Sequence, residues 1–426
     1  MRAYQNDPAF ARNMDEQDIL KGFREKFHIP QHGGRDTVYF TGNSLGLQPK
    51  TAWQYVQQEL EDWARLGVEG HFHARRPWMP YHELFPGPLS QIVGCLPVEV
   101  VVMNQLTVNL HLLMVSFYRP TKQRYRIICE AKAFPSDQYA LAAQVKHHGF
   151  DPAEAIVEIA PRAGEHCLRT EDILETIHRH GESLALVLMG GVNYYTGQFF
   201  DLERITAAAH QAGAYAGFDL AHAAGNTKLK LHDWHVDFAC WCSYKYLNSG
   251  PGGVAGAYIH EKHAANRSMP RFAGWWGHNK ANRFQMPPDF EPIPTAEGWQ
   301  LSNAPVLSMA AHKASLDIFS EAGMENLHAK REELAGYLLY LLEEINSSGG
   351  KQVIEVITPS NPAERGCQVS MLMLERGREI FGELMKQGVI ADWREPNVIR
   401  VAPVPLYNSF EDLWRFGNII SSILKQ

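Results

Sequence analysis

The middle of the chain alternates short apolar runs with segments of helical period. Apolar runs lie at Val100–Met103, Arg126–Cys129, Ala155–Ile159, Leu184–Met189, Ala214–Asp219, Phe238–Ser243 and Gly256–Ile259. Between them, Thr107–Tyr118, Asp137–His147, Thr170–His178 and Leu202–Gln211 carry apolar residues at helical spacing. The last of these ends at Ala212-Gly213, a favourable C-terminal stop. Runs of near-continuous hydrophobicity separated by helices predict an α/β fold, with a mostly parallel central sheet covered by helices on both faces.

The pattern changes after Asn303. Two long amphipathic helices are expected over Val306–Ser320 and Met324–Ile345, divided by Glu321-Ala322-Gly323. Short strands near Ile354–Ile357 and Gln368–Met373, a helix near Glu379–Gln387 and the segment Val398–Pro403 follow. This mixture predicts a smaller α+β C-terminal domain over 306–426, beside a large domain over 51–305. Residues 1–50 are expected to pack against the small domain. Ala264–Gly298 is rich in Trp, Pro and Gly and lacks periodicity. Long irregular segments inside compact domains are often functional.

Composition narrows the function classes. With 426 residues, 45% hydrophobic and 20% charged, the chain reads as a globular enzyme of two domains. A net charge of −7 and the lack of a basic stripe argue against nucleic-acid or membrane partners. No apolar run approaches the ~18–20 residues of a membrane span, and the N-terminus has no signal-like apolar core. Cys95, Cys129, Cys167, Cys240, Cys242 and Cys367 include no CxxC pair, so no metal site is expected. Scattered, reduced thiols fit a cytoplasmic protein.

Two strand ends carry candidate chemistry. The run AYAGFDLAHAAGN (214–226) ends its strand at Asp219, with His222 just beyond. The run DFACWCSYKYLNSGPGG (237–253) leads to Tyr244-Lys245 and a Gly/Pro turn. Asp219 and Lys245 are 245 − 219 = 26 positions apart with one helix-length connection, so they can meet at one edge of the sheet. A lysine amine condenses with an aldehyde, and a carboxylate beside a pyridine nitrogen keeps it charged. The pair therefore points to pyridoxal 5'-phosphate, with Lys245 as Schiff-base lysine and Asp219 as partner of the ring nitrogen. Thr107 opens a helix after an apolar strand and offers a hydroxyl and backbone N–H groups to an anion; it reads equally as a plain cap. At a second such opening, Phe134 can cover the ring or fill the core. Asp137 can meet the cofactor or cap the next helix.

Several longer stretches resemble the kynureninase family: YFTGNSLGLQPK (39–50), HFHARRPW (71–78), AFPSDQYA (133–140), FDLAHAAGN (218–226), SYKYLNSGPGG (243–253), AGWWGH (273–278), LSNAP (301–305) and IRVAPVPLYNSF (399–410). The resemblance runs from about residue 39 to the C-terminus. It implies the fold-type-I pyridoxal-phosphate-dependent transferase fold, and a homodimer with the active site at the subunit interface. It also implies hydrolytic cleavage of L-kynurenine or its 3-hydroxy form to L-alanine and an anthranilate, within tryptophan catabolism towards NAD biosynthesis. On the matching positions it assigns Leu106 and Thr107 to the phosphate, Phe134 to the ring, and Asp137 and His222 to the cofactor's surroundings. Tyr244 becomes a proton relay near the phosphate, and Trp275 reaches the cofactor from the neighbouring subunit. Arg400 becomes the ligand of the substrate α-carboxylate, a role its planar fork suits. Ser44, His71, Ser302 and Asn303 fall around the aromatic end of the substrate, with Asn303 also near the cofactor. Polar His71 and Asn303 favour the 3-hydroxy substrate; His73, two residues on, competes with His71 for the inward position.

Two rivals share the fold. A cysteine desulfurase needs a reactive thiol on a mobile loop, yet the late Cys367 opens a strand-like run. An aminotransferase needs room for a second keto acid. A non-catalytic cofactor-binding protein has no use for Arg400.

Overall fold

The computed structural model describes residues 3–348 and 352–425. Seven strands form the large sheet: β1 (Val100–Val102), β2 (Arg126–Glu130), β3 (Ile156–Ile159), β4 (Leu184–Gly190), β5 (Tyr215–Asp219), β6 (Phe238–Trp241) and β7 (Gly256–Ile259). Their order is β1-β7-β6-β5-β4-β2-β3. All neighbouring pairs are parallel except those of β7, which runs antiparallel to both β1 and β6. The expected mostly parallel sheet is present, and each expected strand appears within a few residues of its place.

Alternation along the strands builds two cores. Ile128, Val187, Met189, Ala216, Phe218, Ala239 and Trp241 face one side of the sheet. Ile127, Cys129, Leu186, Leu188, Phe238 and Cys240 face the other. Both faces are dry, as a sheet covered by helices requires. The covering helices carry local signals. In Leu202–Gln211, Asp201 accepts from Arg204 N at 3.1 Å at the start, and Gly213 takes φ 73° beyond the end. Helix Thr170–His180 places Glu171 and Asp172 in its first turn and His178, Arg179 and His180 in its last, matching the helix dipole.

The small domain holds a four-stranded antiparallel sheet: β8 (Ile354–Val356), β9 (Val369–Met373), β10 (Asp392–Arg394) and β11 (Val398–Val401), in order β8-β9-β11-β10. Helices Met324–Ser348, Gly377–Lys386 and Phe410–Leu424 pack with it. Ala11, Met14, Val38 and Phe40 from the N-terminal segment enter this core, and Val38–Tyr39 pairs in parallel with Val389–Ile390. Helix Val306–Ala322 instead lies along Ala52–Leu66 and buries Met309, Leu316 and Phe319 in the large core. Leu327 still belongs to that core, whereas Leu334, Leu338 and Leu341 belong to the small one. We propose that the two domains meet within the helix Met324–Ser348 rather than at residue 306.

Candidate active site

The chain order makes β2 the point where the sheet reverses: β3 is added on one side of it and β4 on the other. Ligands of open α/β sheets bind beyond the carboxyl ends at such a reversal. A cavity opens there. It is lined by the strand ends Glu130, Gly190 and Asp219, by the helix openings Leu106-Thr107 and Phe134-Ser136-Asp137, and by His222, Tyr244 and Lys245. Thus Asp219 and Lys245 do meet at one edge of the sheet.

Asp219 ends β5 and is buried. Its Oδ1 accepts from Ala221 N at 2.7 Å and its carbonyl accepts from Gly191 N at 2.7 Å. Burial raises its pKa, while the Ala221 N–H and the Lys245 ammonium oppose the rise. Asp137 lies beside it. Burial, then the charge of Asp219, pushes the Asp137 carboxyl well above the usual carboxylate range, so Asp137 holds a proton and offers it to Asp219. Glu130 is the third carboxyl; burial raises it to about 7, against hydrogen bonds that include the one from Gly190 N. Three buried carboxyls thus line one cavity with Lys245, and burial raises the pKa of each.

Lys245 Nζ lies 3.0 Å from His222 Nε2 and 5.8 Å from the centre of the Phe134 ring. Burial, then the charges of Lys245, Arg400 and Arg394, pushes the His222 pKa far down. The imidazole is therefore neutral, and Nε2 accepts from the lysine ammonium. Tyr244 stands next to Cys242; burial and that thiol raise its phenol pKa. Helices Leu106–Phe117 and Pro135–His147 both open at the cavity, where Thr107 Oγ1 and Ser136 Oγ are 3.3 Å apart. Two helix starts with paired hydroxyls suit a phosphate.

The other expected residues lie outside this cavity in the single chain. Arg400 is fully buried on β11 and donates to the carbonyl of Tyr194, whose side chain lines the cavity. Ser44 is exposed, on the loop whose Gly46 N–H donates to Tyr244 O at 2.8 Å. Ser302 and Asn303 are exposed too. His71 is half-buried with its Nδ1 2.9 Å from Val68 O, while His73 is exposed beside Glu69. Trp275, at 42% exposure, donates to Arg283 O at 3.1 Å. Sequence reasoning did not single out Glu130, Tyr194 or Cys242 as cavity residues. Glu130 was recoverable, since it ends a parallel strand as Asp219 does; Tyr194 comes from a loop without a pattern. Among the described residues, two His/Glu groups also lie close enough to share an ion. In one, Lys280 already pairs with Glu83 and Glu297; in the other, Glu99 takes hydrogen bonds from Leu96 N, Glu261 N and His232.

Comparison with known proteins adds the family. The class-V aminotransferase model matches residues 98–369, and the kynureninase C-terminal domain model matches residues 327–420. The kynureninase of Flavobacterium psychrophilum is 59% identical over 98% of both chains. That of the animal Nematostella vectensis is 49% identical, over 98% of this chain and 94% of its own.

The chain belongs to the kynureninase family.

Solved structures place this kynureninase-family fold in wider company. The cystine C–S lyase C-DES, solved with its product cysteine persulfide, superposes with a TM-score of 0.74 at 17% identity, over 90% of this chain and 97% of its own. The cysteine desulfurase of Thermococcus onnurineus gives 0.73 at 15% identity over the whole of both chains. These likenesses speak to the fold alone. Cys367, the late thiol that the rival desulfurase reading would use, is fully buried and burial raises it to about 12, the opposite of a reactive thiolate.

Proposed function

We propose that this chain is a pyridoxal-phosphate-dependent kynureninase, a hydrolase that cleaves the Cβ–Cγ bond of L-kynurenine or 3-hydroxy-L-kynurenine to L-alanine and an anthranilate. The observation that carries this is the convergence of Lys245, Asp219, Asp137, His222, Phe134 and Thr107 on one cavity, in a chain of that family. The cavity's polar atoms fit the cofactor: Asp137 Oδ1 and His222 Nδ1 are buried without hydrogen-bond partners, in residues that line it. Pyridoxal phosphate, when bound, supplies a protonated ring that withdraws electrons from the carbon beside the substrate amine.

The chain's own side chains do the rest. Thr107, Ser136 and the N–H groups at the two helix starts would hold the phosphate, with Leu106 beside them. Phe134 covers one ring face. Asp219 would pair with the ring nitrogen, and Asp137, hydrogen-bonded to Asp219, would adjust that charge. Lys245 would hold the aldehyde carbon of the bound cofactor and would move the proton at the substrate Cα, with neutral His222 beside its amine. Tyr244 relays the proton that Cβ takes after cleavage. Arg400 holds the α-carboxylate. Ser44, His71, Ser302 and Asn303 surround the aromatic end, where polar His71 and Asn303 favour the 3-hydroxyl.

A homodimer completes this arrangement, with Trp275 of the partner subunit at the cofactor. Exposed Trp53, Leu60 and Trp63 on one side of helix Ala52–Leu66, with Val68 and Phe72 just beyond, support it. A cytoplasmic setting in tryptophan catabolism goes with the same reading. No helix among the described residues is long and apolar enough to cross a membrane.

The test is turnover of both kynurenines, followed by their absorbance, with and without added cofactor. Release of alanine with an anthranilate is expected, and Lys245→Ala should fall by about 10³ or more and lose the cofactor's protein-bound absorption. Sulfide from cysteine as the main product, or full activity in Lys245→Ala, contradicts the reading.

A further inference from the structure

Arg400 already has a carboxylate partner in the chain itself. It faces Asp392 across the antiparallel pair β10–β11. Its Nε donates to Asp392 Oδ1 at 3.2 Å, and its Nη2 lies 2.8 Å from Oδ2. Two carboxylates competing for one guanidinium weaken each other, so Asp392 taken alone should repel the substrate's carboxylate. Asp392, however, has a second cation. Arg394, two residues along the same strand, places Nε 3.0 Å from Oδ1 and donates from Nη2 to Oδ2 at 3.3 Å. The nearest other acid on this turn, Glu395, accepts instead from Trp393 Nε1 at 3.0 Å.

The charge count of the cluster is then two guanidinium groups less one carboxylate, or +1. That surplus has an outlet. Arg400 Nη2 is buried in ion-pair contact with Asp392 Oδ2 and makes no hydrogen bond. Its Nη1 donates to the carbonyl of Tyr194, on the cavity wall. A buried, charged donor left unmade is costly unless something fills it.

We propose that Arg394 and Asp392 are positioning residues for substrate recognition: Asp392 fixes the plane of Arg400, and Arg394 neutralises Asp392 so that Arg400 keeps one uncompensated charge for an α-carboxylate. The inference rests on the reading of Arg400 as the carboxylate ligand. Arg394 thereby selects amino acids over amines without touching either. Its side chain is 35% exposed, whereas that of Arg400 is 1% exposed, so it can be changed with less risk to folding.

The experiment measures binding of L-alanine to the cofactor-loaded enzyme from the change in cofactor absorbance, beside kcat and KM for L-kynurenine. Arg394→Gln should weaken alanine binding and raise KM by about tenfold, within the range of coupled neighbours, with kcat changing far less. Arg394→Lys, which keeps the charge, should stay within about threefold of the parent. Ethylamine, which lacks the carboxylate, should bind all three proteins alike. Adding Asp392→Asn to Arg394→Gln restores the +1 count and should recover most of the lost affinity. The proposal is overturned if Arg394→Gln binds alanine normally, if ethylamine loses as much as alanine, or if Arg394→Lys is as weak as Arg394→Gln. Arg400→Gln is measured in parallel: unchanged alanine binding there refutes the carboxylate reading itself, whereas a large loss there with normal Arg394→Gln refutes only the charge-balancing role.

Discussion

At the scale of single residues, burial governs the chemistry of this site. Glu130, 5% exposed, is the clearest case. Burial lifts its pKa from 4.5 to about 7. Between those values the folded protein binds the proton that the unfolded chain has lost. Stability therefore falls as pH rises from about 4.5 to about 7, then levels off. The full effect is on the order of 3 kcal/mol. Glu130→Gln keeps an acceptor for Gly190 N but cannot ionise. In the cofactor-free protein this variant should lose that slope and gain relative to the parent at pH 8, as chemical denaturation at several pH values will measure. An unchanged slope would mean that Glu130 is ionised throughout. Asp219 and Lys245 could be proposed from the chain because strand ends and a Gly/Pro turn mark them. Protonation of Asp137 and neutrality of His222 could not, since both depend on charges brought from distant segments.

At the scale of elements, the strands and helices of the large domain follow the apolar pattern closely because the central strands are buried on both faces and the apolar positions of the helices repeat at helical spacing. What the pattern does not encode is partner choice. β7 reads like its neighbours yet runs antiparallel, and nothing in GAYI announces it. Close approach between elements is likewise invisible in one dimension. A Cβ at Gly217, in the middle of β5, would lie 2.1 Å from the Phe238 ring, which stacks on Phe117 at 4.6 Å. Gly217→Ala must displace that stack. It should cost about 1–3 kcal/mol, seen as a lower thermal midpoint, and should weaken cofactor retention because Asp219 is two residues along the same strand. A midpoint equal to the parent's would show that the ring moves freely. The helix Val306–Ala322 teaches the same lesson. Its sequence continues the pattern of the next helix, but its apolar side packs on Ala52–Leu66.

At the scale of the whole molecule, the apolar side of helix Ala52–Leu66 remains. Trp53 and Trp63 are 68% and 61% exposed, and Phe272, Met286 and the contacting pair Trp275 and Phe284 are exposed as well. If the proposed homodimer uses this side, introducing a charge there with Trp63→Glu should yield monomer in sedimentation velocity and lower turnover with it. A fully active monomer would contradict an interfacial active site. The chain by itself determined the class of fold, the two strand ends that carry Asp219 and Lys245, and the family stretches, because all of these are local or period-bound. Only the tertiary structure decided which groups surround the cavity and which stay outside it. It also decided the charge each carboxyl bears, and the pairing of Asp392 with two arginines. Charge state and contact depend on burial and on separations of a few ångströms between segments far apart in the chain, and neither quantity is written in the order of residues.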